Sequence, residues 1–286
     1  MPMQRDIGQM IDAVRGVRWA ARRPVAAGVP GPHRSRRRGT AVEFTEYRLY
    51  RQGDDPRRLD WKLLARTDRP YIRLTDDHAV LPTTIVVDAS ASMAYPVTTR
   101  AKWWLAAHLA VGFATVAHTS GDPVGLTIVS NGDVIAALAQ STRRGAVASM
   151  AAVLGDIVPG AGARGVLARD RTVTRGRWVI ISDFLQDDGV EVSRACASAG
   201  PGGEVYAVHV VAREELDPPR RSLLVSDPEA PEIRRPLLRE TRTAYLDAFG
   251  AWRDAVRDAW QRAGAWYAMV PTDEPADRAV RRVVRL

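Results

Sequence analysis

The chain has 286 residues, of which 46% are hydrophobic and 26% charged, the composition of a globular protein that can bury a sizeable core. Its 41 basic residues outnumber 33 acidic ones and give a net charge of +8, which would suit an anionic partner such as nucleic acid. However, Lys62 and Lys102 are the only lysines, so the excess is almost entirely arginine. That skew indicates a general compositional preference rather than a selected phosphate-binding surface.

The sequence predicts a cytoplasmic protein without a transmembrane segment. Arg5, Asp6 and Asp12 interrupt the apolar residues near the N-terminus and exclude a signal-peptide core. The longest apolar stretch, residues 103–116, is shorter than the ~20 residues that a membrane-spanning helix needs. The single cysteine, Cys196, excludes a disulfide framework and fits a reducing compartment.

Residues 1–80 are predicted to form an N-terminal extension. Apolar residues recur at helical spacing in its first part, and a Pro/Gly-rich linker then leads to a run of arginines without interleaved aromatic residues. We expect that run to be a solvated loop. The predicted elements are an amphipathic helix over 6–22, a linker over 24–32, the arginine loop over 34–38, extended segments over 39–48 and 69–74, and a short helix over 59–65.

Residues 81–286 are predicted to form an α/β domain, because apolar strands alternate there with helical stretches. This pattern is typical of a doubly wound, mostly parallel, Rossmann-like sheet flanked by helices. The dipeptide Asn131-Gly132 predicts a hairpin, so one strand beside it should run antiparallel at a sheet edge. The predicted strands cover 83–87, 124–129, 134–138, 178–181, 204–210 and 265–270; the helices cover 100–119, 145–157, 190–198, 236–263 and 274–285; a Pro/Arg-rich insertion lies around 213–236.

A candidate binding motif follows the first strand of this domain. Asp88, Ser90 and Ser92 form a D-x-S-x-S sequence that places one carboxylate and two hydroxyls in a short loop. These hard oxygen ligands suit Mg²⁺ or Mn²⁺, and the carboxyl ends of parallel strands are where such sheets bind ligands. The alternative is that these side chains only cap the following helix.

A second strand supplies the other half of the predicted site. Residues 179–181 are apolar and lead directly into Ser182 and Asp183. If the two strands are neighbours in a parallel sheet, Asp183 comes close to Asp88 at the carboxyl edge. A helix cap would explain either aspartate alone, but it explains the coincidence of two such strand ends poorly.

These motifs resemble the metal-ion-dependent adhesion site of von Willebrand factor A domains. The resemblance implies that Asp88, Ser90, Ser92 and Asp183 hold Mg²⁺ or Mn²⁺, and that an acidic residue of a partner protein supplies the last ligand. The family also uses a threonine from a Gly-rich loop. Here that loop is Gly160–Gly165, and Ala163 or Arg164 stands where the threonine is expected, so the resemblance implies weak metal binding or a degenerate site.

The segments Arg37–Phe44, Tyr47–Lys62 and Ala65–Thr67 are similar to the signature of the family catalogued as domain of unknown function 58. Members often occur beside MoxR-type AAA+ ATPases, so the resemblance implies such a partner and a role in assembling or maturing protein complexes. The clustered charges of the signature include Asp54, Asp55 and Asp60. We expect them to form salt bridges and turn caps rather than a catalytic site, and we expect Trp61 to be a packing anchor.

The leading hypothesis is therefore a non-enzymatic protein-interaction module. Two alternatives remain open at this point. A strand-terminal aspartate near a metal also occurs in phosphatases and phosphotransferases, although Ser90 stands where these sites usually have a second acid. The arginine run over 34–38 could instead bind nucleic acid non-specifically.

Overall fold

The computed structural model describes residues 2–23, 30–38, 44–130, 132–160, 176–185, 196, 199–200, 202–219, 223–226, 232–238 and 240–286. The chain divides into two compact units, one of residues 20–81 and one that combines residues 1–19 with residues 82–286. The helices are α1 (Pro2–Ala13), α2 (Trp61–Thr67), α3 (Ala101–Thr119), α4 (Ala146–Asp156), α5 (Arg213–Leu216), α6 (Arg242–Arg262) and α7 (Ala276–Val283). The strands are β1 (Pro30–Arg38), β2 (Phe44–Leu49), β3 (Tyr71–Ala79), β4 (Thr83–Asp88), β5 (Val124–Ser130), β6 (Asp133–Ser141), β7 (Arg177–Ser182), β8 (Glu204–Val211), β9 (Leu223–Ser226), β10 (Arg234–Leu237) and β11 (Trp266–Pro271).

The larger unit is built on a six-stranded sheet in the order β11-β8-β7-β4-β5-β6. Every neighbouring pair is parallel except β5 and β6, which form the antiparallel edge that the Asn-Gly turn predicts. The chain leaves β4 toward β5 and later returns to β7 on the other side of β4. The strand order therefore reverses at β4, where doubly wound sheets open a crevice at their carboxyl edge. The predicted fold class, a mostly parallel α/β sheet flanked by helices, is confirmed.

Alternate residues of the central strands enter two separate cores, as expected for a sheet covered on both faces. On β4, Ile85 and Val87 pack into the larger core with α1, α3, α4 and α7. Val86, between them, points to the other face and packs into a smaller core with Trp260 of α6. Helix α3 is buried almost all round because α1, α4 and α7 all pack against it.

Helix α1 is shorter than predicted and belongs to the unit that contains the large sheet. It ends at Ala13 instead of continuing to Arg22, and a turn and an extended segment then lead to Trp19. Trp19 is buried, and its ring lies under the guanidinium of Arg177 with 4.1 Å between the guanidinium carbon and the ring centroid. The predicted extension over 1–80 included this helix, but the burial of its apolar face against α3 joins residues 1–19 to the sheet.

The smaller unit contains an antiparallel sheet in the order β1-β3-β2. Residues 34–38 lie within β1, so the prediction of a loop for this arginine run was wrong. Backbone pairing with β3 forms that strand, and such pairing needs no apolar side chain.

In the signature region of this unit, the aspartates act as predicted, as turn caps and ion-pair partners. Asp55 accepts a hydrogen bond from the backbone N–H of Arg57 at 3.0 Å, and Asp60 caps α2. Asp54 pairs with Arg48 at 2.8 Å. Trp61, however, is 65% exposed on a helix that buries no side chain, so its predicted role as a packing anchor was wrong.

A clear difference from the prediction in the C-terminal half is the start of its long helix. Helix α6 begins at Arg242 rather than at residue 236, because Pro236 lies opposite Leu224 in the small antiparallel sheet of β9 and β10. These two strands occupy part of the predicted Pro/Arg-rich insertion around 213–236. Most of the helix predicted over 190–198 and all but the first residue of the Gly160–Gly165 loop lie outside the described residues.

Candidate functional site

The candidate site lies at the carboxyl edge of the large sheet, where β4 and β7 end side by side. The register pairs Val87 with Ile181, so the residues that follow each strand leave the sheet at the same level. This is also the point at which the strand order reverses. Asp88 and Asp183 are therefore brought together as the sequence predicts.

Both carboxylate oxygens of Asp88 accept hydrogen bonds. Oδ2 accepts from the hydroxyl of Ser182 at 2.6 Å, and Oδ1 accepts from the backbone N–H of Ser90 at 2.8 Å. The bond to Ser182 links the ends of the two strands directly. Asp88 is only 6% exposed, so this carboxyl is a fixed part of the edge rather than a surface charge.

The two serines of the motif lie beside Asp88 in the same buried loop. The Oγ atoms of Ser90 and Ser92 are 3.1 Å apart, and each residue is at most 2% exposed. A short 3₁₀ turn over Ala91–Ala94 starts here, but Ser90 makes no side-chain capping bond to it, and α3 begins only after Arg100. The helix-capping alternative therefore does not account for this D-x-S-x-S loop.

Asp183 forms a buried ion pair that the sequence motif did not predict. Its Oδ2 accepts a hydrogen bond from Nζ of Lys102 at 3.0 Å. The same ammonium donates to Oε1 of Glu215 at 2.6 Å. Lys102 lies on the first turn of α3 and Glu215 on α5, which follows β8, so three segments meet at one ammonium group.

The electrostatics of this edge follow from burial. Burial raises the pKa of Asp88 to about 7, the neighbouring Asp183 carboxylate adds to the rise, and the bonds from Ser182 and Ser90 oppose it. Burial by itself lowers the pKa of Lys102, but the carboxylates of Asp183 and Glu215 more than compensate and raise it above its ordinary value. Lys102 is therefore a permanent buried cation at neutral pH.

His209 of β8 lies beside Asp183 and is 1% exposed. Its Nδ1 lies 2.6 Å from the hydroxyl of Tyr267, and its ring makes edge contacts with Phe184 and Trp252. Burial lowers the pKa of this imidazole to about 3, so it is neutral at physiological pH.

Exposed aliphatic side chains belong to the loops that adjoin this buried polar centre. Val97, Val158 and Leu185 are 79%, 62% and 40% exposed. Val97 follows the D-x-S-x-S loop, and Leu185 donates its backbone N–H to Asp183 at 3.3 Å. Two residues after Val158, the N–H of Gly160 donates to the carbonyl of Ala89 at 3.0 Å and ties that loop to the D-x-S-x-S loop. We call these three residues the aliphatic rim.

One of the four predicted ligands is already engaged by a cation that the chain itself supplies. Asp88, Ser90 and Ser92 supply suitable oxygens, but one oxygen of Asp183 is already neutralised by the Lys102 ammonium. Within the described residues, no group of three or more His, Cys, Asp or Glu side chains is placed to hold a metal ion. Residues 161–175, where the family's threonine is expected, lie outside this part of the chain. The Mg²⁺ or Mn²⁺ site stays a prediction.

Sequence reasoning missed Lys102 and Glu215. One signal for Lys102 was available, since it is one of only two lysines among the 41 basic residues. Glu215 follows a predicted strand and therefore had to lie at the carboxyl edge. Its pairing with a residue 113 positions away had no local signal.

The fold and this edge define an α/β protein with a topological switch point that is lined by buried polar groups. The chain belongs to the family of proteins of unknown function DUF58, whose model matches residues 46–254. Curated relatives include the uncharacterized protein Rv1480 of Mycobacterium tuberculosis and the uncharacterized protein Mb1516 of Mycobacterium bovis. Each is 29% identical over 267 residues, which cover 91% of this chain and 79% of the relative.

Two solved structures are similar over 72% of this chain and 97% of their own length. One is an aerotolerance-related membrane protein of Bacteroides fragilis, with 17% identity and a TM-score of 0.45. The other is the conserved hypothetical protein BatB of Bacteroides thetaiotaomicron, with 19% identity and a TM-score of 0.41. In the part of this chain that the structure describes, no helix has the length and apolar character needed to cross a membrane.

Proposed function

We propose that the protein is a non-enzymatic protein-interaction module that binds its partner at the carboxyl edge of the large sheet. The observation that carries this proposal is the aliphatic rim. Three exposed aliphatic side chains belong to loops that follow or hydrogen-bond to the buried polar centre, and exposed apolar surface of this kind marks protein-binding sites. A partner that covers the rim would remove these side chains from water and would lie over the D-x-S-x-S loop.

The geometry of Asp88 supports binding over phosphoryl transfer. A nucleophilic aspartate needs an oxygen that can reach the substrate. Both oxygens of Asp88 are held by Ser90 and Ser182, and the residue is nearly fully buried. Nδ1 of His209 lies against the hydroxyl of Tyr267, and the lowered pKa of this imidazole makes it a weak base for either serine of the motif.

The partner that we propose is a MoxR-type AAA+ ATPase, as the family resemblance implies, with a role in assembling or maturing protein complexes in the cytoplasm. A rim of aliphatic side chains suits a protein partner better than it suits nucleic acid, which is bound chiefly through cationic groups.

The proposal is tested by placing charges on the rim. We expect V97D/L185D to weaken binding to the MoxR-type ATPase of the same genome by at least about tenfold, because each change buries a carboxylate in the interface. L286D is the matched control, since Leu286 is 42% exposed and follows α7, the helix that runs back from this edge. Binding is measured by biolayer interferometry, with Mg²⁺ and with EDTA.

The proposed binding surface would be contradicted if V97D/L185D bound the ATPase as tightly as the wild-type chain does. It would also be contradicted if L286D lost as much affinity as V97D/L185D. A requirement for Mg²⁺ in the wild-type protein would support the predicted metal-dependent mode of recognition. Equal affinity in EDTA would show that the module binds its partner without a divalent cation.

A further inference from the structure

The ammonium of Lys102 is bound to one of the carboxylates that the predicted metal site would need. It contacts Asp183, one of the four predicted ligands, at 3.0 Å and Glu215 at 2.6 Å. The Lys102 side chain is 1% exposed. A surface lysine competes weakly with a divalent cation, because water solvates its ammonium when it is displaced. A buried ammonium between two carboxylates has no such solvation, so its displacement costs more free energy.

Both carboxylates are oriented toward this ammonium by bonds to the backbone. The second oxygen of Glu215 accepts from the N–H of Ala212 at 2.7 Å, and the second oxygen of Asp183 accepts from the N–H of Leu185 at 3.3 Å. Tyr245 also donates its hydroxyl proton to the carbonyl of Glu215 at 3.1 Å. These bonds therefore fix the two carboxylates around one cation position without any added ligand, and the Lys102 ammonium occupies that position.

The choice of residue supports the same conclusion. Lysine occurs twice among the 41 basic residues, and one of the two is this buried group. An ammonium is a compact point charge with three donors, whereas a guanidinium is a wide planar fork. The ring of Tyr95, whose centroid is 5.8 Å from Nζ, closes another side of the position. A compact cation fits between these groups.

We propose that Lys102 is the resident cation of the carboxyl edge, and that a divalent cation can bind Oδ2 of Asp183 only by displacing this ammonium. This inference deepens the proposed function and rests on it for the role of the edge in recognition. Its tests use no partner, so failure of the inference and failure of the proposed binding surface are distinguishable.

Removal of the ammonium should convert the edge into a metal site. We expect K102M, which keeps the length of the side chain without its charge, to bind Mn²⁺ at least about tenfold more tightly than the wild-type chain. K62M is the matched control, because it removes the same charge from the other lysine, which is exposed on α2. K102M/D183N should lose the gain, since the freed carboxylate is then absent. Free Mn²⁺ is followed by electron paramagnetic resonance.

K102M leaves the buried carboxylate of Asp183 and the partly buried carboxylate of Glu215 without their counter-ion, and this can unfold the chain. K102M/E215Q removes one of those charges and keeps Asp183. If circular dichroism shows that K102M alone is unfolded, Mn²⁺ binding by K102M/E215Q decides the question. Tightened Mn²⁺ binding in a folded variant supports the inference. Affinity equal to that of K62M, in a folded variant, overturns it.

The wild-type chain provides a test that needs no variant. With ¹⁵N-lysine labelling, only two side-chain ammonium groups carry the label for NMR, because the chain has two lysines. We expect the Lys102 signal to exchange slowly with water and to stay unchanged in millimolar Mg²⁺. A signal that exchanges as fast as that of Lys62, or that shifts at micromolar Mg²⁺, would contradict the assignment of Lys102 as the resident cation.

Discussion

At the scale of single residues, the burial of Asp88 at the candidate site lowers the free energy of unfolding once its carboxyl is ionised. Its pKa is about 7 in the folded chain against an ordinary 3.8. Between these values the unfolded chain has released the proton while the folded chain keeps it. Ionisation of Asp88 therefore contributes a loss of stability that grows as the pH rises from 3.8 to 7 and is complete above 7.

We expect D88N to be more stable than the wild-type chain at pH 8 in EDTA, by roughly 1–3 kcal/mol. The amide oxygen still accepts the N–H of Ser90, and the hydroxyl of Ser182 can rotate to accept from the new amide. The gain should shrink toward pH 4, where the wild-type carboxyl is protonated in the folded state. Urea unfolding at both pH values measures the difference. A gain that is independent of pH, or a loss at pH 8, would contradict this account of Asp88.

At the scale of elements, α3 is held by helices that approach it closely, and glycine makes one approach possible. A Cβ atom added at Gly112 would lie 2.8 Å from Cγ2 of Val280 on α7 and would overlap the end of the Met10 side chain on α1. Val280 is β-branched and stiff, so it has little freedom to move away. Gly112 therefore sets the spacing of three helices.

We expect G112A to destabilise the chain by about 1 kcal/mol, because overpacking costs about 1–3 kcal/mol and outweighs the gain of about 1 kcal/mol in helix propensity. G8A is the matched control. Gly8 is exposed within α1, and an added Cβ there meets no atom within 4 Å. We expect G8A to raise the free energy of unfolding by about 0.5–1 kcal/mol. Equal effects of the two changes in thermal unfolding would refute the close packing at Gly112.

At the scale of the whole molecule, His209 makes folding sensitive to acid. Its pKa is about 3 in the folded chain against an ordinary 6.5, chiefly because it is buried. Between these two pH values the unfolded chain binds a proton that the folded chain excludes. The stability contributed by His209 is therefore complete above pH 6.5 and is lost as the pH falls toward 3.

We expect the stability of the wild-type chain to fall faster with acid than that of H209Q, by about 1.4 kcal/mol per pH unit between pH 6 and pH 4. Glutamine has no titration in this range and can still bond to the hydroxyl of Tyr267. Denaturant unfolding of both proteins across this range gives the slopes. Parallel slopes would mean that His209 titrates alike in the folded and unfolded chains.

The sequence by itself determined the sheet and the place of the site. Apolar strands of four to seven residues indicate which segments are buried, and Asp88 and Asp183 meet at one edge because their strands are parallel neighbours that end at the same level. The Asn-Gly turn likewise determined the antiparallel edge strand. These features depend on local periodicity and on strand direction, which can be read along the chain.

The tertiary structure alone decided which charges compensate each other and which surfaces are covered. Lys102 and Glu215 are 113 positions apart and meet only because α3 and α5 both pack at the carboxyl edge. Trp61 is exposed and the arginine run at 34–38 is a strand for a related reason: burial and backbone pairing depend on neighbours supplied by distant segments. The oxygen-rich loop was visible in the sequence, and the cation that occupies its edge became visible only in the fold.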